Sequence, residues 1–430
     1  MLTQHDNDLI CRTGPGTPMG EYLRRFWIPA LLSREIPEPD CPPVRVKIMS
    51  EELVAFRDTN GDVGIVDNYC PHRRASLFFG RNEESGLRCV YHGWKFDVNG
   101  DCVDMPSEPA ESNFKDKVKI KAYPAADWGG YIWVYMGPAE LKPDLPEVGW
   151  AMVPDDHRVV SRRLQENNYV QGIEGGIDSS HVSFLHSGLT PYQRDNPDAP
   201  RRRNSGGQPS AMIGDSSPRF IVKDTEYGFV YGAQRNSGDS EYYWRITPFM
   251  MPFFTIIPGG LGNADELTYS GHGWVPMDDD NCWMFTYSWN ASRPLRPGEN
   301  HPASDLELDP RTMRATVNRD NDYGIDREMQ KYFNFTGIEN GSVQDAGIQE
   351  SMGAICDRTK EHLGTSDSAI INLRRVYLRG AREIMEGSEP YVPRDGRLYQ
   401  LRSISLIQDR DITFDETVPK VKNPGHPTLV

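Results

Sequence analysis

The spacing of apolar and polar positions changes character several times along the chain. From Met19 to Ser33, MGEYLRRFWIPALLS, apolar residues recur every three or four positions, which predicts a short helix broken near Pro29 and serving as a packing arm. From Val44 the period shortens: VRVKIM, ELVAFRD and VGIVDN are β-like runs, and Thr59-Asn60-Gly61-Asp62 between the last two is a hairpin signal. VKIKAYP and GGYIWVYMG predict further strands, and the proline-rich PAELKPDLPEVGWAMVP, Pro138 to Pro154, predicts a linker. Beyond it RFIVKD, GFVYGAQR, EYYWRITPFMMPFFTIIP and NCWMFTYSW alternate with helical patterns over Glu166–Leu185, Arg311–Lys331 and Ser342–Leu363. The expected class is α+β: an arm over residues 1–40, an all-β domain over 41–154 and a larger mixed domain over 155–430. Residues 191–217, rich in Pro, Asn, Ser, Gly and Arg, predict a long polar loop. GGLGN at Gly259 lacks the third glycine and following helix of a dinucleotide fingerprint.

Composition narrows the possible partners. At 430 residues the chain can bury a sizeable core, and its net charge of −15 opposes nucleic acid or an anionic membrane at long range. The start, MLTQHDNDLI, has no basic-then-apolar leader pattern, and the apolar run from Phe249 to Ile257 is too short to span a bilayer. A cytoplasmic protein is expected, with no membrane partner. The seven cysteines are odd in number and scattered, which suits reduced thiols or metal ligands better than a disulfide framework. Between Cys70 and Phe96, Arg73, Arg74, Arg81, Arg88 and Lys95 face only Glu83 and Glu84, a basic island in an acidic chain.

That island contains Cys70-x-His72 and Cys89-x-x-His92, with Trp94 and Phe96 just behind as packing residues. Two thiolates and two imidazoles can hold a tetrahedral zinc, or a 2Fe-2S cluster with cysteines on one iron and histidines on the other. Each pair mixes one thiolate with one imidazole. This suits two chemically different irons better than a zinc ribbon, where Cys-x-x-Cys pairs are usual.

A second constellation is Asp178-x2-His181-x4-His186, within NNYVQGIEGGIDSSHVSFLHSG. Asp178 and His181 share a helical face, but His181 and His186 stand about 140° apart round an ideal helix. Both reach one metal only if the helix bulges or ends between them, and Ser187-Gly188 makes an ending plausible. Two histidines and one carboxylate with open positions form the facial triad of non-haem iron oxygenases. SVQDAGIQESMGAICDRTKEHLGTSD offers Asp345, Glu350, Asp357 and Asp367 as the carboxylate.

The strings CPHR and CVYHGWKFD resemble the Rieske signature, and both constellations in this order resemble the α subunit of Rieske non-haem iron aromatic ring-hydroxylating oxygenases over nearly the whole chain. ESNFKDKVKIKAYP, TGIENGSVQD, QESMG and KEHLGTSD look most like the phthalate dioxygenase branch, which includes phenoxybenzoate oxygenases and some O-demethylases. The resemblance implies an N-terminal all-β Rieske domain and a C-terminal helix-grip (START-like) catalytic domain. It implies Cys70, His72, Cys89 and His92 as ligands of the 2Fe-2S cluster, and His181, His186 and Asp345 as ligands of a mononuclear Fe(II). It gives Asp178 a catalytic role, bridging His181 to His92 of the partner subunit within a head-to-tail homotrimer or stacked hexamer.

The implied partners are O2 and a separate flavin-containing reductase with its own iron-sulfur centre, which passes on electrons from NADH. Arg73, Arg74 and Arg88 are candidates for its docking patch. The branch suggests an aromatic carboxylate substrate, phthalate-like and cis-dihydroxylated, with O-demethylation or hydroxylation of a bulkier methoxy- or phenoxy-benzoate as the alternative. A Rieske electron-transfer protein without oxygenase activity is the alternative of another class. A buried carboxylate calls for a cationic partner, and Arg245 in EYYWRITPF, then Arg235 in GFVYGAQRN, are the candidates.

Overall fold

The computed structural model describes residues 1–109, 111–188, 215–262 and 266–422. Within them the expected hairpin forms: Glu51–Arg57 pairs antiparallel with Val63–Asp67, and Asp58 Oδ1 accepts the backbone N–H of Asn60 and of Asp62. Val44–Ile48 and Ala122–Tyr123 complete this four-stranded sheet. A second sheet of short strands, Arg81–Asn82, Leu87–Arg88, Lys95–Phe96 and Cys102–Asp104, packs beside it. The two share a core of their own, built from Val54, Phe56, Val66, Leu77, Leu87, Trp94 and Phe96.

The second domain is an antiparallel eight-stranded sheet. Its spatial order is Arg158–Gln165, Cys282–Asn290, Thr268–Pro276, Phe254–Ile257, Glu241–Met250, Gly228–Ser237 and Arg219–Thr225. Ile404–Asp409 pairs with the first half of Glu241–Met250, on an edge whose other end is taken by Phe254–Ile257. Successive side chains of a strand point to opposite faces. Tyr243, Arg245, Thr247 and Phe249 therefore share one face, and across the strand pair they meet Arg235, Ala233, Tyr231 and Phe229. Against that face lies the longest helix, Ser368–Met385, whose Tyr377 contacts the Phe249 ring and donates to the Pro252 carbonyl at 2.6 Å.

Several predicted elements differ from the structure. The Met19–Ser33 run is a helix only over Pro18–Leu23; Trp27–Leu32 is a strand, buried at every position and paired with Tyr131–Tyr135. An apolar run without alternation fits a doubly covered strand, and Pro29 bars a helix. VKIKAYP is strand only over Ala122–Tyr123. The Arg311–Lys331 pattern reduces to a 3-10 segment, Arg319–Gly324, and the helix Arg327–Tyr332. Ser342–Leu363 is helical only over Gly341–Ser351, and its tail instead buries Arg358 against Glu174. The polar stretch 191–214 and Asn263 lie outside the described residues.

The N-terminal residues join both halves. Gln4–Cys11 and Pro18–Leu23 pack on Ser368–Met385 so closely that a Cβ on Gly380 would lie 2.3 Å from the Tyr22 ring. Among the described residues no helix is long and apolar enough to cross a membrane.

Candidate metal centres

The Cys70 and Cys89 loops are built on one hydrogen-bond plan. Cys70 N–H donates to Ala75 O at 2.9 Å and Arg74 N–H to Cys70 O at 2.9 Å; Cys89 N–H donates to Trp94 O at 2.8 Å and Gly93 N–H to Cys89 O at 2.9 Å. In both loops the fourth residue after the cysteine is left-handed, Arg74 at φ 61° and Gly93 at φ 78°. The loops thus deliver two buried thiols and two imidazoles to one tip, with His72 and His92 ring centroids 4.4 Å apart. The His72 ring stacks on Trp94 at 4.4 Å and 9°. Trp94 in turn donates Nε1–H to Ser107 Oγ, and Phe96 is fully buried in the core behind.

The donor chemistry fits a bound cluster. Burial pushes the Cys70 thiol up to about 11, with the adjacent Cys89 sulfur adding to the rise, so metal charge is what makes thiolates favourable here. His72 Nδ1 is buried with no hydrogen-bond partner among the described residues, a lone pair left for a ligand. Two thiols and two imidazoles at one tip are the donor set of a 2Fe-2S cluster with cysteines on one iron and histidines on the other.

The basic island shrinks in the fold. Arg88 is held by Glu83, Glu84 and Asp104, Arg81 by Glu83, and the buried Lys95 by Glu84. Arg88 is therefore withdrawn from the surface patch expected of it. Arg74 contacts Asp67 at 3.4 Å, and Arg73 lies over the Tyr91 ring.

The second centre is assembled by helix ends. Tyr169–Gly176 starts where Asn168 Oδ1 accepts from Val170 N–H, and stops at Gly175-Gly176. Its glycines permit very close packing: a Cβ on Gly172 would lie 2.3 Å from Trp274, on Gly176 2.5 Å from Trp274, and on Gly175 2.3 Å from Gln349. The predicted helix to Leu185 thus ends before Asp178 and His181, which do not share a helical face. His181–Ser183 is instead a separate 3-10 turn, and Phe184 N–H and Leu185 N–H both donate to His181 O, bending the chain so that His186 swings back. Opposite, Asn340 caps Gly341–Ser351 and brings Asp345 in from its first turns.

His181 Nε2 and His186 Nε2 lie 3.2 Å apart, and Asp345 Oδ1 stands 3.2 Å from His186 Nε2 and 3.7 Å from His181 Nε2. The outer nitrogens are committed: His181 Nδ1 faces Asp178 Oδ2 at 3.3 Å and His186 Nδ1 faces Gln344 Oε1 at 2.7 Å. Both Nε2 atoms therefore turn lone pairs toward each other and toward a carboxylate. Three facing lone pairs repel unless a cation sits among them, so the donor set fits a metal ion. Burial pushes the Asp345 carboxyl up, but His186 and His181 outweigh it and hold it at about 2; burial pushes His186 down, and Asp345 outweighs that and raises it. Asp178 is held below the usual carboxylate range, against burial, by His181 and by the Ser180 N–H, which donates to Oδ1 at 2.7 Å.

The other carboxylates are spoken for. Glu350 accepts from Tyr323 Oη and Glu166 N–H, Asp357 pairs with Lys360, and Asp367 accepts from Gly364 N–H. Nothing in the sequence singles out Gln344 or a buried histidine pair, His272 Nδ1 to His301 Nε2 at 3.3 Å. A glutamine beside a ligand carboxylate carries no signal of its own.

Arg235 and Arg245 lie buried on neighbouring strands of the sheet. Burial, then the charge of Arg245, brings Arg235 down to about 10. Arg235 donates from Nη2 to Ser179 O at 2.8 Å and from Nε to Asp215 O at 3.1 Å, while its Nη1 is buried without a hydrogen-bond partner among the described residues.

A cysteine-histidine tip on a β domain and a two-histidine carboxylate triad on a helix-covered sheet define a protein with an electron relay and a separate catalytic iron. Comparison with known proteins agrees. Residues 26–124 match the Rieske [2Fe-2S] domain and residues 134–413 the LigXa C-terminal domain like family. The phthalate 4,5-dioxygenase oxygenase subunit of Pseudomonas putida is 41% identical, over 96% of this chain and 98% of its own. The 3-chlorobenzoate-3,4-dioxygenase oxygenase subunit of Comamonas testosteroni is 36% identical, over 94% and 96%. Dicamba monooxygenase superposes with a TM-score of 0.59 at 17% identity, covering 85% of this chain and 99% of that one. The chain belongs to the Rieske non-haem iron oxygenases, in the group with a LigXa-type C-terminal domain; it is an oxidoreductase whose cofactors are a 2Fe-2S cluster and a mononuclear iron.

Proposed function

We propose that the chain is the terminal oxygenase component that cis-dihydroxylates a phthalate-like aromatic carboxylate with O2 and NADH-derived electrons. Cys70, His72, Cys89 and His92 hold the cluster, and His181, His186 and Asp345 hold the iron. Residues 1–40 are an arm, 41–154 the cluster domain and 155–430 the catalytic domain. With iron bound, the triad supplies dioxygen activation beside the substrate ring. The residues of the chain do the rest: Asp178 and Gln344 orient the two imidazoles, and buried guanidinium fixes the carboxylate.

The observation that carries the substrate class is the likeness to the two relatives above, and Arg245, buried on the inner sheet face, is the candidate carboxylate contact. Both curated relatives above are named for aromatic carboxylates. Arg235, spent partly on the Ser179 carbonyl, is the secondary contact through Nη1.

Electrons come from a separate reductase carrying flavin and its own iron-sulfur centre, docking near Arg73. The relatives' designation as oxygenase subunits supports a multicomponent system. The assembly is a head-to-tail homotrimer or stacked hexamer and its location the cytoplasm; Val90 and Tyr91 beside His92, and Phe184 with Phe335 beside the triad, are exposed apolar surfaces available to a subunit contact. In that ring Asp178, its side chain 23% exposed, accepts from His92 of the partner subunit and carries electron transfer between the centres.

The test is a single turnover of reduced, iron-replete protein with O2 and phthalate, read by mass spectrometry. A product gaining two oxygens and two hydrogens supports the reading. No product with the cluster still reduced moves the substrate to bulkier methoxy- or phenoxy-benzoates. Arg245→Ala is expected to abolish phthalate binding with iron content intact.

A further inference from the structure

We propose that Gln344 is the positioning residue that fixes His186 in its metal-binding tautomer, and that its neutrality makes the two imidazoles of the triad unequal. The inference rests on the metal triad assigned above and concerns how the chain holds it.

The argument starts from a carbonyl, which can only accept. Ile338 O takes hydrogen bonds from Gln344 Nε2 at 2.7 Å, from Asn334 Nδ2 at 3.0 Å and from Thr336 Oγ1 at 3.4 Å. The amide nitrogen of Gln344 is thereby committed to Ile338, and Oε1 must face the other way, where His186 Nδ1 lies 2.7 Å distant. An amide oxygen also only accepts, so Nδ1 of His186 carries the proton and Nε2 the lone pair. The backbone carbonyl dictates the amide, and the amide dictates the imidazole.

The carbonyl is itself tied to the ligand loop. Phe335 N–H donates to Ser187 O at 3.1 Å, and Asn334 bridges Gly188, the residues directly after His186. The contacts form a closed circuit: His186, Gly188, Asn334, Ile338, Gln344 and back to His186. Gln344 is 5% exposed, so water does not readily replace its oxygen.

His181 is held differently, by the Asp178 carboxylate. An anion behind an imidazole raises its donor strength more than an amide does. The metal therefore meets one strengthened and one ordinary nitrogen, and negative charge near it stays with Asp345 and Asp178. A third carboxylate at 344 would favour the higher oxidation state of the iron.

The experiment uses the full-length protein with its cluster oxidised and the mononuclear site emptied, then titrated with Co(II) against a competing chelator and read by Co(II) EPR. Gln344→Leu is expected to weaken Co(II) binding by about 10–100-fold with cluster absorption unchanged. Gln344→Glu, which keeps the acceptor toward His186 but loses the donor to Ile338 O, is expected to lose less affinity than Gln344→Leu while shifting the EPR signal and lowering the potential of the native iron. Wild-type affinity in Gln344→Leu, or equal loss in Gln344→Leu and Gln344→Glu, would overturn the proposal, the second outcome marking a packing role. His186→Ala that still binds Co(II) would instead overturn the triad, a distinguishable result.

Discussion

The cluster tip and the catalytic triad solve the same problem, gathering four or three donors at a point, by opposite means. The tip is made from two short loops of one hydrogen-bond plan, each carrying its cysteine and histidine within a few residues. The triad draws two histidines from a turn after one helix and a carboxylate from another helix far along the chain, and depends on the packing that holds these helices together. A locally wired centre tolerates distant damage. A centre assembled across the fold inherits every weakness between its parts.

The strongest way to break that contrast is to delete one ligand from each. His181→Ala is expected to lose the mononuclear iron and all product formation while cluster absorption persists; Cys89→Ser is expected to do the reverse, losing colour while the triad still binds Co(II). Loss of both centres in either variant would show that they are not independently held.

Next in size is Glu174, buried on the helix before the triad between Arg358 at 2.8 Å and Arg374 at 2.6 Å. Breaking such a buried pair costs about 3–5 kcal/mol. Glu174→Ala should therefore lower the melting temperature and release the mononuclear iron before the cluster. Burial pushes Glu174 up, but the two arginines outweigh it and hold it below its ordinary value of 4.5. Its contribution is fully present above pH 4.5 and is lost as the pH falls through the depressed folded value, so acid melts of wild type and Glu174→Gln should converge.

How far each centre is legible in the sequence follows the same contrast. The Cys-x-His and Cys-x-x-His spacings announce the tip because every ligand lies on the loop that places it. Two of the three triad residues, His181 and His186, are legible for that reason; Asp345 is reached by resemblance, and Gln344 not at all, since only Ile338 O reveals which way its amide points. The long helix Ser368–Met385 is absent from the predicted elements: its stripe at Ala369, Leu373, Val376, Tyr377 and Gly380 is interrupted by Arg374, which is buried within it and neutralised by Glu174 and Glu361. The pattern overextends the helix before Asp178 because glycines give no sign of whether they continue a helix or let it press against tryptophan.

Smaller changes sharpen the comparison. Gly176→Ala places a Cβ 2.5 Å from Trp274 and 2.8 Å from His272 Nε2, and overpacking of this kind costs about 1–3 kcal/mol. Its effect should register as weaker Co(II) binding at the triad with the cluster spectrum unchanged. Smallest is the matched pair in the tip. Gly93→Ala forces a side chain into the left-handed region, about 1–2 kcal/mol, and 2.6 Å from Pro106. Arg74→Gly at the equivalent place should fall within about 1 kcal/mol of neutral, because relieved strain offsets added chain entropy. Equal melting shifts in the two variants would refute the common plan.

The contact of the N-terminal helices with Ser368–Met385 sets an order of events during synthesis. Tyr22 seats against Gly380, Asn7 Nδ2 donates to Cys356 O and Leu2 N–H to Arg358 O, so residues made first acquire their partners only after most of the ribosome's work is done. Contacts of such long sequence separation form slowly. The cluster domain, made before the catalytic domain, can fold on the emerging chain, whereas the arm must wait with Leu9, Ile10 and Tyr22 uncovered. A chaperone that shields this segment, or a slowed translation rate, should raise the soluble yield more than any change at the iron sites.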